Sequence, residues 1–328
     1  MGEGRWEPHG KTGGTAPYHL VVAPPPVGAP PPASSWLVLP DKIKLRATLW
    51  PAVGPPRGTV LLFTGRTEYA EKYATVAGEL QLSGYAVASV DWRGQGLSDR
   101  LLPNPMTGHV NRFSDYQKDV RALVAFARAQ GLPQPWHLLA HSMGGAIGLR
   151  AIWQHLPVVR AVFTGPMWGI AMASGLRPAA LGLGGFSQKA GFSHILAPTQ
   201  VGFSYVAVAP FERNLLTSDR AQFEKMRQQV RHDPRLGLGG VSLGWLAEAM
   251  QENRSAAALP SPALPCLTFL GGEDAVIDPA AITERMKRWP KGTLVTYPEG
   301  RHEILMEQDA IRVPTMARTL DFFASAGG

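Results

Sequence analysis

The sequence predicts an α/β protein: a mostly parallel sheet with helices on both faces and a helical cap inserted after the sixth strand. Three observations carry this reading. From Thr59 to Phe163 short continuous apolar runs alternate with helix-length segments, as expected for parallel strands joined by crossover helices and covered on both sides. The rhythm stops near residue 165 and resumes at Pro265, so residues 166–258 read as an insertion between two sheet strands. In the middle, the apolar run Trp136 to Ala140 meets Ser142, two glycines and then a helical pattern at Ala146, Ile147 and Leu149. That is strand, sharp turn, helix.

Taken in order, residues 1–33 are rich in Gly and Pro without apolar periodicity and read as a loose arm. Trp36 to Leu39 and Lys42 to Trp50 read as strands; in the second, Ile43, Leu45, Ala47 and Leu49 alternate with polar residues, which predicts an antiparallel edge hairpin with one wet face. Residues 34–165 continue as the first part of a core: TVLLF, a helix over Tyr69 to Leu82, YAVASVDW, a helix over Phe113 to Gln130, the strand and helix around Ser142, and VVRAVF. The second part, residues 259–328, supplies CLTFL, a helix near Ala280 to Trp289, the strand TLVTY and a last helix from about Pro314 to Phe323. Within the insertion, residues 190–211 carry no Lys, Arg, Asp or Glu. Their length suits a membrane span, but Ser193, Pro198, Thr199, Gln200 and Ser204 favour a lid with an apolar underside. A further helix is expected to start near Thr217 or Ser218.

Composition narrows the function classes. The chain has 328 residues, 45% hydrophobic, enough for one large core, and its 17% charged residues fall below the usual share of about 25%. A formal net charge of +7 suits anionic surfaces, but no basic block or nucleic-acid motif accompanies it, so no nucleic-acid partner is expected. The one cysteine, Cys266, excludes an intrachain disulfide. The N-terminus lacks a charged region followed by an apolar one, so no signal peptide is expected. Its GKT at Gly10 to Thr12 lacks both the earlier glycine and the leading strand of a phosphate loop. The expectation is a cytoplasmic protein, with peripheral contact at an anionic lipid surface left open.

The chemistry centres on Ser142 in AHSMG. A serine on a strained strand-to-helix turn presents its hydroxyl, and small neighbours let strand and helix pass closely; here Ala140 stands where glycine is usual. A second stretch, GVSLG around Ser242, fits the same pattern, but glycine-rich residues 236–239 precede it, so Ser242 reads as a polar residue opening a helix. A serine hydroxyl needs a base, and the base needs an orienting carboxylate. After CLTFL comes GGED, offering Asp274 with Glu273 and Asp278 as competitors; after TLVTY comes PEGRHE, offering His302. His141 reads as structural. The oxyanion calls for backbone N–H donors, with Met143 after the nucleophile and Arg66 in the loop after TVLLF as candidates. The Arg66 side chain reads equally as exposed or as a substrate group.

The segments GRTEYAEKY (65–73), DWRGQGLSDRLL (91–102), GHVNRFSDY (108–116), LAHSMGGAI (139–147), GGED and GRHEILME (300–307) resemble α/β-hydrolases of the monoacylglycerol lipase and bacterial lysophospholipase group, in particular the lysophospholipases associated with the bacterial inner membrane. The resemblance implies an α/β-hydrolase core with a helical cap and ester hydrolysis without a cofactor or metal. It also implies catalytic roles for Ser142, Asp274 and His302 and a single-acyl lipid ester as substrate. Thr64-Gly65 replaces the His-Gly of the lipase branch and leans toward the lysophospholipase side. The RGQG and GHVNRF segments match without a role that the sequence explains. A monoacylglycerol lipase or general carboxylesterase is the alternative. A serine aminopeptidase of the same fold would need an acidic cap pocket, for which Glu212, Glu224 and Glu248 are available; an acyltransferase and a non-catalytic binding protein are the remaining classes.

Overall fold

The computed structural model describes residues 11–172 and 175–325. Its strands are β1 (Lys11–Ala16), β2 (Ala33–Val38), β3 (Lys44–Trp50), β4 (Gly58–Phe63), β5 (Tyr85–Val90), β6 (Trp136–His141), β7 (Arg160–Thr164), β8 (Cys266–Gly271) and β9 (Gly292–Tyr297). Its helices are α1 (Ala74–Leu82), α2 (Tyr116–Ala129), α3 (Met143–Trp153), α4 (Leu176–Lys189), the single turn α5 (Tyr205–Val208), α6 (Arg220–His232), α7 (Leu243–Ala257), α8 (Pro279–Lys287) and α9 (Asp309–Ala324). The strands form one sheet in the order β1-β2-β3-β5-β4-β6-β7-β8-β9, antiparallel from β1 to β5 and parallel from β5 through β9.

Two cores explain the continuous apolar strands. Because side chains alternate across a strand, Leu61 and Phe63 of β4 and Leu138 and Ala140 of β6 pack on one face with α2, α3 and α8. On the other face, Val60, Leu62 and Leu139 pack with Val76, Ala77 and Leu80 of α1 and with Met316 and Phe323 of α9. A strand covered on both sides has no face to leave polar, hence the missing alternation.

Two expectations change at the sheet's antiparallel end. The arm is not all loose: Lys11–Ala16 pairs with β2, which makes the strand before the insertion the seventh in chain order rather than the sixth. The residues of GKT that are described, Lys11 and Thr12, therefore lie in an edge strand. Residues 1–10 of the arm lie outside the described residues. β3 is also not an edge, and beyond the exposed Lys44 its polar face is dry. Arg46 is fully buried there and donates to Glu71 and Asp91, while Thr48 bonds Ser34. The alternation was read correctly, but paired charge rather than water covers the polar side.

Between β7 and β8 run α4 to α7. The charge-free stretch 190–211 contains only the one-turn α5, and among the described residues no helix is long and apolar enough to cross a membrane. α6 begins one residue later than expected, because Asp219 caps it by accepting from Gln222 N while Thr217 instead accepts from Asp219 N. The arm clasps this helix: Gln229 Nε2 donates to the Val22 carbonyl, and His19 Nε2 lies 2.9 Å from Asp233.

Candidate active site

The turn at Ser142 carries the strain its sequence implies. Ser142 has φ 50° and ψ −118°, a conformation that side-chain-bearing residues rarely adopt. Its N–H donates to Thr164 O of β7, and its carbonyl accepts from Gly145 and Met167, so neighbouring backbone holds the strained residue. Gly144 is required by the close passage: a Cβ there would stand 2.2 Å from the carbonyl oxygen of Phe63 at the end of β4. Ala140 needs no such allowance, since it lies within β6 and is not among the residues of positive φ.

His302 and Asp274 arrive from the carboxyl ends of β9 and β8. His302 Nε2 is 2.9 Å from Ser142 Oγ, and His302 Nδ1 is 2.7 Å from Asp274 Oδ2. All three residues are buried. The other oxygen of Asp274 accepts from Val276 N at 2.9 Å, which fixes the carboxylate. The competing acids are used elsewhere. Asp278 caps α8 through Ala280 N, and Glu273 is exposed, 3.8 Å from Arg301. Ser242 caps α7 by accepting from Trp245 N, as its place before a helix suggested.

The loop after β4 is buttressed on every side, which accounts for RGQG. Gln95 Nε2 donates to Gly65 O at 2.8 Å and to Glu68 O at 3.1 Å, and its Oε1 accepts from Thr67 N. Trp92 Nε1 donates to Thr64 O. From the other side Gly65 N–H donates to the Glu68 carboxylate. Gly65, the residue before Arg66, is thus tied at both its N–H and its C=O.

Glu68 belongs to a buried ionic cluster beneath the histidine that sequence reasoning did not anticipate. Lys72 Nζ pairs with Glu68 and, at 2.6 Å, with Glu303; Tyr73 Oη donates to Glu68; His141 Nε2 lies 3.2 Å from Glu303. His141 Nδ1 is 2.9 Å from Thr164 O, and its ring centroid is 4.8 Å from that of His302. Burial alone would push the His141 imidazole down, but Glu303 and Glu68 outweigh it and raise its pKa above the ordinary value. Burial opposes ionisation of Glu303 as well, yet Lys72 and His141 hold it well below the usual carboxylate range. Glu68, His141 and Glu303 approach closely enough to hold a metal ion, but Lys72 already supplies the cation between the two carboxylates. In the sequence Glu68, Lys72 and Glu303 stand as the E-x-x-x-K spacing of GRTEYAEKY and the glutamate following His302, a pattern that exposed ion pairs share.

A cavity of about 340 Å³ opens over the serine. Its apolar lining includes Val201, Phe203, Val206, Leu216, Met226 and Val276, so part of the charge-free stretch faces it as expected. Its cations are Arg66 and Lys72. Glu212, Glu224 and Glu248 do not line it: Glu212 pairs with Arg220, Glu224 with Arg227, and Glu248 accepts from Phe113 N and Gln188. The GHVNRF segment closes one rim. Gly108 exchanges backbone bonds with Gly240 and Ser242, and His109 Nδ1 lies 2.8 Å from Ser242 Oγ, fastening the 239–242 loop to the core. The His302 loop is fastened as well: Glu303 N donates to Leu216 O, and the buried Glu307 accepts from Ser218 N and Arg301 N.

Known proteins resemble most of this chain. The Hydrolase_4 family, described as Serine aminopeptidase, S33, matches residues 54–309. Lysophospholipase L2 of Escherichia coli strain K12 is 33% identical over 277 residues, which cover 80% of this chain and 79% of that protein. A monoacylglycerol lipase of Mycolicibacterium smegmatis is 32% identical over 105 residues, 32% of this chain and 36% of that one. Among solved structures, a soluble variant of monoglyceride lipase from Saccharomyces cerevisiae superposes with a TM-score of 0.71 at 22% identity, covering 94% of this chain and 98% of the other.

Proposed function

The chain belongs to the Hydrolase_4 (Serine aminopeptidase, S33) family, and we propose that within it this protein cleaves the carboxylic ester of a single-acyl lipid, a lysophospholipid, through an acyl-serine. The observation that carries the reading is the continuous hydrogen-bonded line from Asp274 through His302 to Ser142 at the floor of an apolar-lined cavity. His302 Nε2 takes the hydroxyl proton of Ser142 as Oγ attacks the acyl carbonyl, and Asp274 stabilises the imidazolium. The N–H groups of Met143 and Arg66 receive the oxyanion. Collapse breaks the ester C–O bond, and His302 returns the proton to the departing glycerophospho alcohol. Water, deprotonated by His302, then releases the fatty acid and restores Ser142. No cofactor or metal enters this sequence.

Residues 166–258 serve in this reading as the cap and residues 1–33 as an arm, its part from residue 11 onward strapping the cap to the core. Val201, Phe203, Tyr205 and Leu215 expose apolar surface around the cavity. With the net charge of +7 this suits shallow contact with an anionic lipid surface from which a single-chain lipid is drawn. The aminopeptidase reading finds no free carboxylate for a substrate amine among the described cavity residues, because Glu68 and Glu303 are both closed by Lys72. Fatty-acid release from lysophospholipid and from monoacylglycerol, measured side by side with Ser142→Ala as control, tests the proposal. Preference for lysophospholipid, lost in the variant, is expected; preference for monoacylglycerol would move the substrate, and no serine-dependent release from either would sink the reading.

A further inference from the structure

Resting on that reading, we infer that the Arg66 guanidinium receives the phosphodiester of the substrate headgroup, so that one side chain selects lysophospholipid over monoacylglycerol. Of the two cations lining the cavity, Lys72 is neutralised by Glu68 and Glu303, whereas Arg66 has no carboxylate partner among the described residues. Its guanidinium donates from Nη1 to Gly239 O at 2.9 Å and lies 5.7 Å from the Trp245 ring centroid. Burial lowers its pKa to about 10 with no acid to offset it, so it remains a cation at neutral pH. A part-buried cation held by one carbonyl and one ring keeps unfulfilled demand for an anion. A phosphodiester suits that demand, since a planar guanidinium matches phosphate oxygens in bidentate geometry.

Position supports the same ligand. The backbone N–H of Arg66 is the proposed oxyanion donor, so its guanidinium stands within one side chain's length of the ester carbonyl. In a lysophospholipid the phosphodiester stands a glycerol's length from that carbonyl, and a monoacylglycerol carries no charge there. Gly108 makes the room: a Cβ there would sit 2.9 Å from Arg66 Nη1. This gives GHVNRF a second role beside fastening the 239–242 loop.

The rival account is that Arg66 only latches that loop through Gly239 O. The ratio of kcat/KM for 1-palmitoyl lysophosphatidylglycerol to that for 1-palmitoylglycerol separates the two, since damage to shared chemistry cancels in it. Arg66→Gln is expected to lower the ratio about 10- to 100-fold, and Arg66→Lys to restore part of it. Equal losses on both substrates would overturn the assignment and leave the latch. Wild-type turnover of the monoacylglycerol alone would instead refute the lysophospholipid reading. A second measurement works in that event too: glycerophosphoglycerol should competitively inhibit hydrolysis of a p-nitrophenyl ester by wild type, and less so by Arg66→Gln. No inhibition of wild type, or inhibition equalled by inorganic phosphate, would remove the headgroup from the site.

Discussion

Gln95 donates from its side-chain amide to the carbonyl oxygen of Gly65 at 2.8 Å, and so holds the peptide that precedes the proposed oxyanion donor. A donor group displaced by a fraction of an ångström loses much of its value to a developing oxyanion. Gln95→Met is therefore expected to lower kcat on lipid esters by about 10- to 100-fold with KM changed much less. It also leaves the Gly65 and Glu68 carbonyls without their donor, at a cost of about 1–3 kcal/mol in stability. A variant that loses stability but keeps kcat would show that Gln95 braces the fold and not the reaction.

Three acids in GGEDAVID competed for one role, and they separate by geometry. Asp274→Asn preserves shape but removes the charge that supports imidazolium at His302, so kcat should fall by about 10³–10⁴. Asp278→Asn keeps a good helix cap and Asp278→Ala loses about 0.5–2 kcal/mol of stability, each with turnover near wild type. Steady-state kinetics and urea denaturation on all three variants decide the matter. If the Asp278 variants and Asp274→Asn exchanged their effects, the assignment of the acid would be wrong.

What the sequence shows and hides here follows from how local the signal is. Ser142, Asp274 and His302 follow strand ends, so the pattern of apolar runs locates them even though 160 residues separate the serine from the histidine. Ser242 was separable from Ser142 because glycines, not a strand, precede it. Glu68, Lys72 and Glu303 were not separable from solvated charges, since charged residues in a helix-start or a loop are ordinarily exposed. Only the fold stacks the segment after β4 under the His302 loop. β1 was missed for a related reason: KTGGTA has no apolar alternation, and it becomes a strand because the edge of β2 offers it hydrogen bonds.

The buried cluster yields a stability test. Lys72 is the cation shared by two buried carboxylates, and removing it leaves His141 as the one basic side chain facing both. Lys72→Met is expected to cost about 3–5 kcal/mol, the range for breaking a buried pair from one side. The triple change Lys72→Met, Glu68→Gln, Glu303→Gln removes the charges together and should recover much of that loss. Chemical denaturation of the two variants checks the prediction; equal destabilisation in both would mean that packing, not unpaired charge, sets the cost.

His137 gives the clearest dependence on pH. It is buried in β6, stacked on Phe323 of α9 with centroids 4.6 Å apart, edge-on to Tyr85, and among the described residues neither ring nitrogen has a hydrogen-bond partner. Burial, with Arg160 adding to it, lowers its pKa to about 4, against about 6.5 for an unfolded histidine. Between those values the unfolded chain binds a proton that the folded one refuses, so acidification favours unfolding. Above about pH 6.5 neither state is protonated and the residue contributes no pH dependence. The loss therefore builds as pH falls from about 6.5 to about 4, and a non-titrating ring should be spared it. In urea denaturation at several pH values, wild type is expected to lose more stability across this window than His137→Phe, with the two curves parallel above it. Parallel curves throughout would mean that this imidazole titrates alike in both states, and that its burial between β6 and α9 is not what sets the acid limit of the fold.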